Sequence, residues 1–353
     1  MLNYLKKIFS IFLIFNLTFV SSAQAAATFV DSFDVSTQEA NSAGVVFNND
    51  GTKMFVIGNT GDDVNEYTLT TPFDVSTATF NDFNGNGRGF RVATEDSVPT
   101  GVAFNNDGTK MFVMGFNDND VNEYTLTTGF DVSTASFVDS FSIATEDVNA
   151  TDLAFNNDGT KMFVVGDAGN DINEYTLTTG FDVSTASFVD SFSVATQEVF
   201  PSGVAFNNDG TKMFVVGIAG DDVNEYILTT GFDVSTAAFL DSFSVATQDI
   251  FSTGITFNND GTKMFVVGND GDDINEYTLS CPFKVTASST CDTPLKDKDV
   301  KGVIDAQINT AKNFAKDSSQ SALKRLANLR AKDDNKSAQK IELNFQNETL
   351  NKI

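Results

Sequence analysis

Residues 47–56 read FNNDGTKMFV, and the same ten residues return from Phe104, Phe155, Phe206 and Phe257. The intervals are 57, 51, 51 and 51 residues. A period of this length, five times over, decides the architecture before any single element is assigned. Working outward, an Asn-Glu-Tyr triplet ends at Tyr67, Tyr124, Tyr175, Tyr226 and Tyr277, and the segment FDVSTA begins at Phe73, Phe130, Phe181 and Phe232.

Each unit divides into four short strands. The first is of the type Gly101-Val-Ala-Phe104, and Asn-Asn-Asp-Gly then turns the chain; Asp-Gly between apolar runs is a strong hairpin signal. The second is Lys110 to Gly115, the third Asp120 to Leu126 and the fourth Phe137 to Ile143. Alternating apolar positions and β-branched or aromatic residues mark strands, and no unit holds a long run of helical period. Four strands repeated every ~40–50 residues predict a β-propeller, all-β, in which each twisted sheet buries its faces against the next. The ends predict closure. The last unit stops after its third strand, while Thr28 to Val35 (TFVDSFDV) precedes the first unit and matches a fourth strand. The N-terminal strand should therefore complete the last blade and lock a ring of five.

The core F-x-x-D-G-x-x-x-F-V resembles the repeats of the YVTN and TolB-like bacterial propellers over residues 28–283. That resemblance implies the fold and leaves activity open, because such propellers range from scaffolds to lactonases.

Propeller topology sorts the loops. The turns NNDGT and the segments FDVSTA lie on one face, called the bottom, and are nearly identical among units. The loops between strands two and three, and from strand four to the next unit, share the top and vary. The top loops carry Asp62, Asp63, Asp118, Asp120, Asp167, Asp171, Asp221, Asp222, Asp270, Asp272 and Asp273. Carboxylates in this pattern suit calcium, a cationic partner or a polyhydroxyl partner such as a glycan; they equally suit a solvated surface that keeps the protein soluble. Two places break the symmetry. Asp152 opens a first strand where Gly44, Gly101, Gly203 and Gly254 stand in the other units, which puts one carboxylate near the axis and makes it a candidate calcium ligand. The first unit has a six-residue excess around Arg88 and Arg91, read as a flexible Gly-rich loop. The DGTK lysines read as solvent-facing, and the tyrosines as packed between blades with their hydroxyls at the rim.

Composition narrows the chemistry. The 353 residues include 48 acidic and 22 basic side chains and no His, for a net charge of −26. Without His there is no Ser-His-Asp triad or imidazole base, and the charge disfavours nucleic acid. Lys6 and Lys7, the apolar run Ile8 to Val20 and the small residues Ala23 and Ala25 describe a signal peptide over 1–25, so export is expected. Cys281 and Cys291, the only cysteines, are then expected to pair. After the propeller of 26–294, residues 295–353 carry net charge +4 and helical spacing at Val300, Ile304, Ile308 and Ala311. The run 303–330 weakly resembles the helical segment ahead of an autotransporter barrel. No later stretch is apolar enough to cross a membrane as a helix. Three functions fit: a multivalent exported binding or surface module, of which five-bladed lectins are an example; a calcium-dependent lactone or ester hydrolase of the gluconolactonase kind; and a structural passenger or spacer.

Overall fold

In the computed structural model the described residues are 26–286 and 291. The expected signal peptide over 1–25 and the expected helical tail over 295–353 lie outside them. Strand β1 (Ala27–Asp34) comes first, followed by β2 (Ser42–Phe47), β3 (Lys53–Gly58), β4 (Asp63–Leu69), β5 (Ala78–Phe80) and β6 (Phe90–Arg91) of blade 1. Blade 2 holds β7 (Pro99–Phe104), β8 (Lys110–Gly115), β9 (Asp120–Leu126) and β10 (Ala135–Ser142). Blade 3 holds β11 (Ala150–Phe155), β12 (Lys161–Gly166), β13 (Asp171–Leu177) and β14 (Ala186–Ser193). Blade 4 holds β15 (Pro201–Phe206), β16 (Lys212–Gly217), β17 (Asp222–Leu228) and β18 (Ala237–Ser244). Blade 5 holds β19 (Ser252–Phe257), β20 (Lys263–Gly268) and β21 (Asp273–Leu279). All pairings are antiparallel meanders, and β1 pairs with β21 from Ala27 opposite Leu279 to Asp34 opposite Asp273. The protein is a five-bladed β-propeller closed by its first strand. In blade 1 the excess residues split the fourth strand into β5 and β6, both on β4.

The core lies between blades. Val45, Met54 and Tyr67 of blade 1 pack with Phe265, Val267 and Ile274 of blade 5, and equivalent clusters fill the other four interfaces. Tyr67 is buried between Phe33 and Phe80, its hydroxyl 3.4 Å from Gln38 Oε1.

The DGTK lysines are half-buried, or buried at Lys212, and tied into the fold rather than free in solvent. Lys110 Nζ lies 2.6 Å from Glu123 Oε1 and also donates to the carbonyl of Phe181 in the next blade. Glu123 Oε2 accepts the N–H of Val183, 3.1 Å away. The same three-part clamp recurs in every blade: Lys53–Glu66, Lys161–Glu174, Lys212–Glu225 and Lys263–Glu276, the last reaching Phe73 and Val75 in blade 1. Charge at the surface is the sequence default for lysine, but antiparallel pairing of strands two and three sets Lys and Glu side by side, and the next blade covers them. The FDVST phenylalanines that receive the clamp sit at positive φ, 56° at Phe130. Their rings cover the turn glycines: a Cβ on Gly108, itself at φ 70°, would stand 2.3 Å from the Phe130 ring.

Cys281 and Cys291 form a disulfide with Cα atoms 5.0 Å apart. It holds the segment whose Phe283 carbonyl and Val285 N–H complete the clamp from blade 4. Replacing both cysteines with Ser is expected to lower stability by about 2–3 kcal/mol, as for a short closed loop. Urea unfolding measures it, and adding reductant to the parent protein should reproduce the loss.

Candidate functional site

Eight of the eleven top-face aspartates fall into two structural series, and Asp118, Asp167 and Asp270 stand earlier in their loops. In each blade the loop between strands two and three turns through one left-handed residue: Asp62, Asn119, Asn170, Asp221 and Asp272, with φ of 50–54°. Asp and Asn tolerate that region better than other residues with side chains. The carbonyl of each accepts an N–H from the end of the fourth strand, as Asp221 does from Val245 at 2.9 Å. The next residue, Asp63, Asp120, Asp171, Asp222 or Asp273, opens the third strand. Asp63 is buried and accepts from Asn65 Nδ2 at 3.0 Å; Asp171 accepts from Asn173 Nδ2 at 2.9 Å. Burial holds Asp63, Asp171 and Asp273 above the usual carboxylate range. Asp118 is exposed, and its N–H donates to Asp96. The predicted residues thus stand in five stations, one per blade. Among the described residues no three His, Cys, Asp or Glu side chains come together as a metal-binding group.

A third acidic series was not separated from this surface by sequence reading. Glu39, Asp96, Asp147, Glu198 and Asp249 are buried. Each ties its own loop to the neighbouring top loop: Glu198 Oε1 accepts from Phe200 and Ala219, and Oε2 accepts from Gly220. Burial raises Asp96 and Asp249 despite these bonds. The acidic second residue of every Gln-Glu, Glu-Asp or Gln-Asp pair in those loops was the available signal.

The centre of the top face is apolar. A cavity of about 330 Å³ opens there, lined by Val98, Phe116, Phe200, Pro201 and Ile218 together with Asn41, Asn59, Asn269 and Asp167. Phe200 is 48% exposed and Ile218 40%; in the same loops Val148, Val199, Ile250 and Phe251 are also exposed. Below this mouth Thr100, Thr151, Ser202 and Thr253 each donate a hydroxyl hydrogen bond to a carbonyl of the next blade, and Ala43 leaves the fifth position without one. The bottom face is uniform. Asn49, Asn106, Asn157, Asn208 and Asn259 donate their side-chain amides around the axis, each to the backbone carbonyl of the next.

Asp152 lies in the axial cavity between these rings, as the repeat alignment placed it. It is 8% exposed, and its Oδ2 accepts the N–H of Val204 at 3.0 Å. Burial pushes its carboxyl up to about 7. A carboxyl raised in the folded state binds protons more readily there than in the unfolded chain, so its contribution to stability falls as pH rises from the unfolded value toward 7, and levels off above. Relative to Asp152→Asn, the parent should lose about 1.4 kcal/mol per pH unit between pH ~4.5 and 7. Paired urea titrations across that range measure it; a constant difference would contradict the buried ionisation.

Arg91 stands 3.9 Å from Asp62 and is exposed, while the backbone of residues 86 and 87 is held by the Asp82 carboxylate. No helix among the described residues is long and apolar enough to cross a membrane. No protein-family model and no curated protein sequence matches the chain. Solved structures resemble it at low identity. A candidate 6-phosphogluconolactonase from Bacteroides fragilis aligns at 12% identity over 67% of this chain and 79% of that one, with a TM-score of 0.44. One from Bacteroides uniformis aligns at 12% over 69% and 67%, with a TM-score of 0.43. A luciferin-regenerating enzyme aligns at 12% over 70% and 94%, with a TM-score of 0.44.

Proposed function

We propose that the protein is an exported binding module that holds a cationic partner, such as a basic polypeptide segment at a cell surface, in the mouth at the centre of its top face. The observation that carries this reading is the gathering of Phe116, Phe200, Pro201 and Ile218 around one cavity on a strongly acidic ring. Phe200 and Ile218 are exposed and Phe116 is half-buried, and exposed apolar side chains mark interaction sites. Residues 28–283 hold 39 acidic and seven basic side chains. Five of those bases are the clamp lysines, already paired within the fold. The remaining field is negative and would steer a positive partner toward the mouth, where apolar contact would slow its release.

The mouth is not five-fold. Blade 1 contributes Asn41 and Asn59 where later blades contribute Phe116, Phe200 and Ile218. One partner per ring fits this better than five equivalent ligands. The hydrolase reading has less support: Asp152 is the one titratable side chain lining the axial cavity, and Asp167 the one lining the top mouth, so neither offers an acid–base pair. The disulfide favours an oxidising compartment and hence export.

The test uses a fluorescent peptide of alternating Lys and Leu. The expected result is one peptide per chain, with affinity falling at least tenfold in Phe200→Ser plus Ile218→Ser at unchanged net charge. Equal affinity in that variant would mean non-specific attraction by the acidic surface. Absence of binding would leave the spacer reading ahead. Export is checked separately, by fractionating cells that express the full chain.

A further inference from the structure

The axis holds a second site, on the other side of the ring from the top mouth. The five first strands converge at Gly44, Gly101, Asp152, Gly203 and Gly254. A Cβ on Gly101 would stand 2.9 Å from the Asp152 Cα, and one on Gly203 would stand 2.8 Å from the Gly254 Cα. The backbones therefore meet at a waist. Below it is a cavity of about 270 Å³, walled by Val46, Ala103, Ala154, Ala205 and Thr256 and by phenylalanines such as Phe155, and reaching the asparagine ring of the bottom turns. From Asp152 to Phe155, the end of β11, is three residues, about 10 Å at the rise of an extended strand, and the ring lies in the turn beyond.

Asp152 is the only titratable side chain lining this cavity. Four blades pass the waist with glycine, so the fold closes without a side chain there. Two backbone N–H groups, those of Val204 and Leu153, reach the carboxylate, and they do not offset the burial of its charge. The group stays neutral or takes a cation. The walls narrow the cation: calcium wants six to eight oxygen ligands, and beside this one carboxylate the inner wall offers the Thr256 hydroxyl and otherwise aliphatic and aromatic side chains, the asparagines lying in the bottom turns. A positive head on an apolar stem satisfies both ends.

We propose that the lower axial cavity binds a small primary alkylammonium ion, its head against Asp152 and its stem along the Ala, Val and Phe wall. The site is independent of the partner surface on the top face and is entered between the bottom turns. Because the pair forms away from solvent, binding should persist at high salt, unlike attraction to the acidic exterior.

The experiment is isothermal titration of the full chain with n-butylammonium chloride in 0.3 M NaCl, with 1-butanol as the neutral isostere and calcium chloride as the metal probe. The expected result is one saturable site, at least tenfold weaker for 1-butanol and for Asp152→Asn. Asp152→Gly restores the residue found in the other four blades and serves as the variant whose folding the repeat itself supports; it too should lose the site. Circular dichroism and thermal melting of both variants confirm that the ring is intact. Failure of the parent to bind butylammonium would overturn the proposal. So would equal binding by both variants, or calcium binding in its place.

Discussion

Glu225→Ala should destabilise the propeller by about 3–5 kcal/mol, the range for removing one partner of a buried ion pair. Lys212 and Glu225 are the most enclosed of the five clamps, their side chains 11% and 0% exposed. Removing the carboxylate leaves the Lys212 ammonium, 2.7 Å from the Phe283 carbonyl, without its counter-charge, and leaves the buried Val285 N–H without its acceptor. At about 2–4 °C per kcal/mol for a chain of this size, the melting temperature should fall by roughly 10 °C. Two comparisons make the result specific. Glu66→Ala should cost less, because Lys53 is 27% exposed and can turn to water. Lys212→Met with Glu225→Leu should recover the part of the loss that comes from the unpaired ammonium, since an apolar pair has no charge to desolvate, while the Val285 N–H stays without its acceptor. A loss under 1 kcal/mol for Glu225→Ala would show that the clamp contributes little to joining the blades.

That clamp also marks the limit of what the sequence disclosed. The blade count, the hairpin turns and the closing strand were legible because each is a local pattern or a spacing: FNNDGTKMFV counts the blades, Asp50-Gly51 makes the turn, and Phe29 to Phe33 repeats Phe137 to Phe141. The pairing of Lys110 with Glu123 was not. Thirteen residues separate them, and only the register of β8 against β9, Lys110 opposite Thr125 and Phe112 opposite Glu123, brings them together. Their burial comes from the next blade, which a single repeat does not show. The same holds for Phe130, whose positive φ is unusual for an aromatic residue and is sustained by its seat over Gly108.

The top-face acids teach a related point. Repetition in a loop can mean a repeated ligand site or a repeated backbone requirement, and composition does not separate them. Here Asp62, Asp221 and Asp272 alternate with Asn119 and Asn170 at one left-handed position, which conformation alone explains. Glu39 and its equivalents are buried links between loops. What distinguishes the top face is the residue type that departs from this pattern. Phe116, Phe200 and Ile218 were visible in the loops FNDND, QEVFPSG and IAGDD, but their convergence depends on how five loops meet at the axis. Asp152 was legible because it departed from four glycines at an aligned position.

Removing residues 26–34 should abolish the closed ring. Strand β21 would lose its partner from Asp273 to Leu279, Tyr277 would lose the edge contact of Phe29 at 5.8 Å, and Tyr67 would lose that of Phe33 at 5.5 Å. A bare strand edge and an opened interface between blades 5 and 1 together put at risk a sum comparable to the whole stability of a domain, about 5–15 kcal/mol. The shortened protein is expected to lose its cooperative thermal transition and to self-associate through β21 in a concentration-dependent way, read by circular dichroism and size-exclusion chromatography. A peptide ATFVDSFDVS added in trans should restore the transition. A peptide ASFVDSFSI, taken from the fourth strand of blade 2, should do nearly as well, because FVDSF is shared and the bulge falls at Phe137/Asp139 as it does at Phe29/Asp31. A scrambled peptide should not, since a shift of one residue would turn Phe29 and Phe33 away from the tyrosines they cover. Rescue by the blade 2 peptide would place the specificity of closure in the alternation of side chains and the position of the bulge, and a shortened chain as stable as the parent would mean that the ring is held by its clamps alone.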